Sequence, residues 1–151
     1  HAAGAAVGPC AHPEVGWIEV RPVDHPTARR WLGPLAECDT LLVYHWHLQA
    51  FELPEGAEWI LTRDEMPSQA FALGPHLGLQ CHPEVDEPTL ARWYQLQPDP
   101  PGAYRHGSLQ TAETALAQAP AKIAAMRALT ERLYAQWLQS VSETHLDLTK
   151  S

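Results

Sequence analysis

Apolar and polar positions divide the chain into short extended segments followed by one long helix. Residues 16–23 (GWIEVRPV) alternate apolar and polar side chains, the period of a strand. The run at residues 40–47 (TLLVYHWH) starts almost wholly apolar, as a strand buried on both faces does. Residues 58–63 and 68–73 predict two short strands around a polar turn, and 77–82 predict another after the Gly74-Pro75 break. Asp86 stands where a helix N-cap belongs, with Glu87 and Pro88 in the first turn. Leu90, Trp93 and Tyr94 follow at helical spacing, and Pro98, Pro100, Pro101 and Gly102 end that helix in a linker. From Thr111 onward the pattern is helical with an expected break at Pro120. Ile123, Met126, Leu129, Leu133, Trp137 and Val141 then form one apolar stripe, expected to cap the domain. Residues 1–13 predict the tail of a helix and a loop. Residues 25–35 predict a polar connection with a helical turn near 28–32.

Only one strand–helix unit has the spacing of a parallel crossover. The pattern is that of the second half of a larger α/β domain. Composition narrows the class. A chain of 151 residues with 45% hydrophobic content can bury a core. No run approaches the roughly 20 apolar residues of a membrane span. A formal charge of -8 without a Lys/Arg cluster argues against nucleic acid as a partner. Cys10, Cys38 and Cys81 lack the spacing of a disulfide framework, which suggests a reducing, cytoplasmic setting.

Two segments could carry chemistry. In Gln80-Cys81-His82-Pro83-Glu84, His82 falls at a strand end, where α/β folds place their sites. A carboxylate two residues on could reach the imidazole, fix its tautomer and stabilise its charged form. The competing reading is an exposed histidine beside a turn glutamate. In His45-Trp46-His47, two histidines at i, i+2 in a strand point the same way and could bind a metal such as zinc. No carboxylate or cysteine stands at a familiar ligand spacing, so no metal is expected. None of the cysteines sits in a glycine-flanked elbow of the kind that activates a nucleophile. Trp17, Trp46, Trp59, Trp93 and Trp137 are expected in the core.

Several segments, taken in order, resemble the class I (type 1) glutamine amidotransferase family. Glu14-Val15-Gly16-Trp17 is similar to its E-[IV]-G-W strand start. His45-Trp46-His47 with Phe51-Glu52-Leu53-Pro54-Glu55-Gly56-Ala57 is similar to its H-W-H-x-x-x-F-x-L-P-x-G-A run. Gln69-Ala70-Phe71 resembles Q-A-F, and Leu79-Gln80-Cys81-His82-Pro83-Glu84 resembles L-Q-F-H-P-E with cysteine in place of the aromatic. The nearest flavour is the stand-alone domain akin to the glutaminase part of GMP synthase.

The resemblance implies a flavodoxin-like or Rossmann-like three-layer α/β domain, of which this chain is the C-terminal portion. Residues 1–97 match, 98–110 form a linker and 111–151 a terminal helical segment. It implies glutamine hydrolysis to glutamate and ammonia by a Cys-His-Glu triad, with His82 as general base and Glu84 its orienting partner. His47, Leu48 and Gln49 would hold the glutamine backbone, although Leu48 and Gln49 depart from the commoner Gly-Asp. No cofactor is implied; a synthase or other ammonia acceptor is a possible partner. The family's G-x-C-x-G elbow would lie upstream of His1, with residues 1–8 the remainder of its helix, so this chain alone is expected to be inactive. A γ-glutamyl peptide hydrolase of the same fold and a non-catalytic domain on that scaffold are the alternatives. Without its neighbours, the strand at 40–47 is expected to leave the chain marginal or associated.

Overall fold

A computed structural model describes residues 2–97 and 109–148. The elements are β1 (Val7–Pro22), α1 (Pro26–Leu32), a 3-10 turn (Gly33–Glu37), β2 (Leu41–Phe51), β3 (Glu58–Thr62), β4 (Ala70–Leu73), β5 (His76–Leu79), α2 (Glu87–Leu96) and α3 (Ala112–Leu148). The strands form one antiparallel sheet in the order β2-β1-β3-β4-β5. The result is a mixed α/β fold ending in a long helix.

The long strand β1 organises the sheet. From Val7 to Val20 it pairs with β2 across one irregularity, and its last residues, Arg21 and Pro22, pair with β3. The pairing steps from Pro9↔Gln49 to Glu14↔His47, so residues 10–13 bulge opposite Leu48. The helix tail expected at residues 1–8 is absent: residues 2–3 form a turn and β1 starts at Val7. Gly8 and Pro9 are poor helix formers, and both find partners on β2 instead. Gly16 has φ +133, and a Cβ there would lie 2.7 Å from the Gln110 side chain. That side chain accepts from the Trp17 backbone N–H at 3.0 Å, while the Gln110 N–H donates to the Val15 carbonyl at 2.8 Å. Of the expected linker, residues 98–108 lie outside the described residues; Leu109 and Gln110 dock on β1.

β2 is buried on both faces through most of its length, as its composition predicts. It is nevertheless the terminal strand of this sheet, not a central one. Cys81 bridges to His45, and the His82 N–H donates to the Tyr44 carbonyl at 2.7 Å, so residues 81 and 82 cover its outer edge there.

The expected connection at 25–35 holds an ordered helix. Burial of Ala28, Trp31 and Leu32 drives α1, and Trp31 is among the largest fully buried side chains. The helix α3 runs unbroken through Pro120, which is exposed; the carbonyl that its ring leaves without a donor can turn to water. Ala115, Ala119, Met126, Leu129 and Leu133 of α3 are buried. Beyond Leu133 the buried positions are Gln136 and Ser140, while Trp137 (42% exposed) and Val141 (44%) of the expected stripe face outward. Polar demand from α1 explains the change. Arg132 donates to the carbonyls of Trp31 (3.1 Å) and Arg30 (2.5 Å) and to Gln136 Oε1 (3.0 Å). The open C-terminus of α1 thus finds its donors on α3. Among the described residues, no helix is long and apolar enough to cross a membrane.

Leu133→Ala should therefore cost about 3 kcal/mol in urea unfolding, and Trp137→Ala less than about 1 kcal/mol. Equal losses would restore the stripe read from the pattern.

Candidate active site

After β5 ends at Leu79, the chain turns along β2. The Gln80 N–H donates to the Gln69 carbonyl at 2.9 Å, and the Cys81 bridge and the His82 N–H bond to β2 follow. His82 thus sits three residues past the last residue of β5, on an isolated bridge segment. His82 Nδ1 and Glu84 Oε1 are 2.8 Å apart. A carboxylate only accepts, so Nδ1 carries the hydrogen, and in the neutral ring Nε2 keeps its lone pair. The ring packs edge-on against Trp93 of α2, centroids 4.7 Å apart. Thr130 of α3 donates its hydroxyl to the Pro83 carbonyl at 2.8 Å, pinning the turn between histidine and glutamate. Asp86 caps α2 through the Thr89 N–H at 2.9 Å, and hydrogen bonding from the Thr89 side chain and that N–H holds its carboxyl below the usual range.

His82 lines an open cleft of about 300 Å³ with Trp46, Trp93, Leu96 and Gln97. Its side chain is 32% exposed and that of Glu84 49%, so both are within reach of a ligand.

The expected substrate-holding residues lie further along β2. They line a second cleft with Val7, Ala50, Phe51 and Gln80, and Trp46 borders both clefts. Leu48 and Gln49 are exposed, opposite the bulge of β1. Gln80 Nε2 donates to the Gln49 carbonyl at 2.8 Å, which ties this segment to the one bearing His82. The His47 ring is engaged inside the protein, with Nδ1 3.1 Å from the Gln49 carbonyl and Nε2 2.9 Å from Glu14 Oε2.

Glu14 is a residue to which sequence spacing assigned no role. It is fully buried. Arg63 donates to its Oε1 at 2.6 Å, and Gln69 Nε2 to its Oε2 at 3.0 Å. Burial alone would raise its carboxyl; the bonds from His47, Gln69 and Arg63 outweigh it and bring the pKa down to about 2. His45, fully buried beside it, is pushed down to about 3 by burial. The signal was the E-x-G-W motif itself, whose glutamate precedes a glycine that needs positive φ.

Cys81 is buried, and its thiol is pushed up to about 12 by burial, the reverse of an activated nucleophile. Cys38 is exposed after the 3-10 turn, and Cys10 lines a separate cleft with Met66 and Ser68. Trp17 is in the core and Trp46 and Trp93 pack against it, whereas Trp137 is exposed.

No protein-family model and no curated protein sequence matches the chain. Solved structures do. A glutamine amidotransferase from Methylobacillus flagellatus aligns with TM-score 0.83 and 31% identity, over 92% of this chain and 57% of that one. A glutamine amidotransferase from Thermotoga maritima aligns with TM-score 0.70 and 25% identity, over 91% and 56%. A candidate GMP synthase component from Thermoplasma acidophilum shares the fold at TM-score 0.54 and 16% identity, over 98% and 53%. The chain has the class I glutamine amidotransferase fold, and it spans a little over half the length of these structures.

Glu14→Ala should lower stability by about 3 kcal/mol, because it leaves Arg63 and His47 without their buried acceptor. Chemical denaturation of the variant checks this; a loss below about 1 kcal/mol would show that the network contributes little.

Proposed function

We propose that this chain carries the general base and its orienting carboxylate for hydrolysis of glutamine to glutamate and ammonia, in a protein whose nucleophile comes from outside these 151 residues. The observation that carries the proposal is the His82–Glu84 pair. Its Nδ1 is held at 2.8 Å, the His82 ring borders an open cleft, and both side chains are partly exposed. An imidazole so held can take a proton from a thiol at Nε2 and return it to the leaving amine. Glu84 fixes the tautomer and stabilises the imidazolium that forms. Thr130, Trp93 and the Tyr44 carbonyl hold the ring and turn in place.

Burial or position keeps the three cysteines out of this role, since no cysteine lines the His82 cleft among the described residues. In this proposal residues 47–49 hold the glutamine through main-chain groups, residues 1–97 and 111–151 are parts of one amidotransferase domain, and the ammonia passes to a synthase or other acceptor. Three free cysteines suit a reducing, cytoplasmic setting.

Ammonia release measured with the purified 151-residue chain and glutamine should stay at background. The longer protein that contains this chain should release ammonia, and His82→Ala should lower its kcat about 10²-fold or more. Release from the 151-residue chain that is lost on His82→Ala would overturn the external nucleophile. Hydrolysis of γ-glutamyl peptides in preference to glutamine would replace the substrate.

A further inference from the structure

The histidine pair of β2 has no carboxylate nearby in sequence, but strand pairing supplies one. Glu14, on β1, is the register partner of His47, and Gly16 is that of His45. Glu14 and the two histidines thus share one face of the paired strands. His47 Nε2 lies 2.9 Å and His45 Nδ1 3.8 Å from the same oxygen, Glu14 Oε2. The three donor atoms fall within 4.8 Å of one another. Zinc bound at about 2.0–2.1 Å in tetrahedral geometry separates its ligand atoms by roughly 3.3 Å, and the two distances to Oε2 bracket that value.

Two features point to a cation between these groups. His45 is fully buried, yet neither of its ring nitrogens has a hydrogen-bond partner. Such a buried polar group is costly unless something satisfies it. His47 Nδ1 faces a carbonyl, which only accepts, so this nitrogen carries a hydrogen. Its Nε2 then presents either a second hydrogen or a lone pair to Glu14 Oε2, and a lone pair facing a carboxylate needs a positive charge in between. An imidazole whose far nitrogen donates to a backbone carbonyl is the usual form of a metal-bound histidine. Arg63 engages Oε1, while Oε2 accepts from Gln69 Nε2 at 3.0 Å and turns its remaining lone pair to the two rings.

We propose that Glu14, His45 and His47 form a three-ligand site for a zinc ion, with a water as the fourth ligand. Two imidazoles and one carboxylate suit zinc, whereas calcium and magnesium ask for more oxygen ligands. The ion would enter past His47, which borders the cleft at residues 46–51. The site would lock β1 to β2 behind the strand that bears residues 47–49, and it does not depend on the glutamine reading.

The test is titration of chelator-stripped protein with zinc, followed by calorimetry. One zinc per chain is expected, weakened about tenfold or more by His45→Gln and by Glu14→Gln and unchanged by His76→Gln on the surface. X-ray absorption of the unsubstituted zinc-loaded protein should show two imidazoles and one carboxylate, a readout that stands even where a variant fails to fold. Binding below a tenth of an equivalent, binding indifferent to His45 and Glu14, or nitrogen NMR showing His47 doubly protonated at saturating zinc would each overturn the site and leave a proton as the occupant.

Discussion

A carboxylate buried away from water must find partners, and the partners of Glu14 come from different parts of the chain. His47 reaches it from β2, Arg63 from the end of β3 and Gln69 from the approach to β4. One side chain on β1 therefore holds together the two halves of the sheet, which β1 alone connects. The same atoms set the candidate site. Gln69 sends its carbonyl to the Gln80 N–H, His47 sends its ring to the Gln49 carbonyl, and Gln80 closes the loop by donating to that carbonyl. The segment that carries His82 is thus registered against β2 by contacts that trace back to Glu14.

From that register the chemistry of His82 follows. Its backbone is held on Tyr44, its ring on Trp93 and its Nδ1 on Glu84, while α3 fixes Pro83 through Thr130. Three elements distant in sequence converge on one turn. That explains how a glutamate only two residues on comes within hydrogen-bond distance of the ring. The pair needs a stiff turn, and the stiffness comes from proline, from α2 and from α3 together. The fold is shared with glutamine amidotransferases over nearly the whole chain.

Much of this was legible in the sequence where it depends on local period and punctuation. The strands at 16–23 and 40–47, the Asp86 cap and α2 all follow from alternation and capping chemistry, and the ordered motifs from Glu14 to Trp93 named the fold. What escaped depended on contacts made at a distance. Residues 7–13 join β1 because Ala50 and Gln49 wait across the sheet. Pro120 does not break α3 because buried residues on both sides hold the helix to the core. Trp137 turns outward because the C-terminus of α1 requires Gln136, Ser140 and Arg132 on the inner face. Glu14 was invisible as a partner of His47 because they lie 33 residues apart.

In the proposed role His82 acts as a base, with Glu84 holding its proton on one side and an open lone pair on the other. Long-range proton–nitrogen NMR of the His82 ring at neutral pH tests it most directly. The hydrogen should reside on Nδ1 with Nε2 bare, and Glu84→Ala should let the two tautomers mix. A hydrogen found on Nε2 in the unsubstituted chain, or a tautomer indifferent to Glu84, would contradict the account.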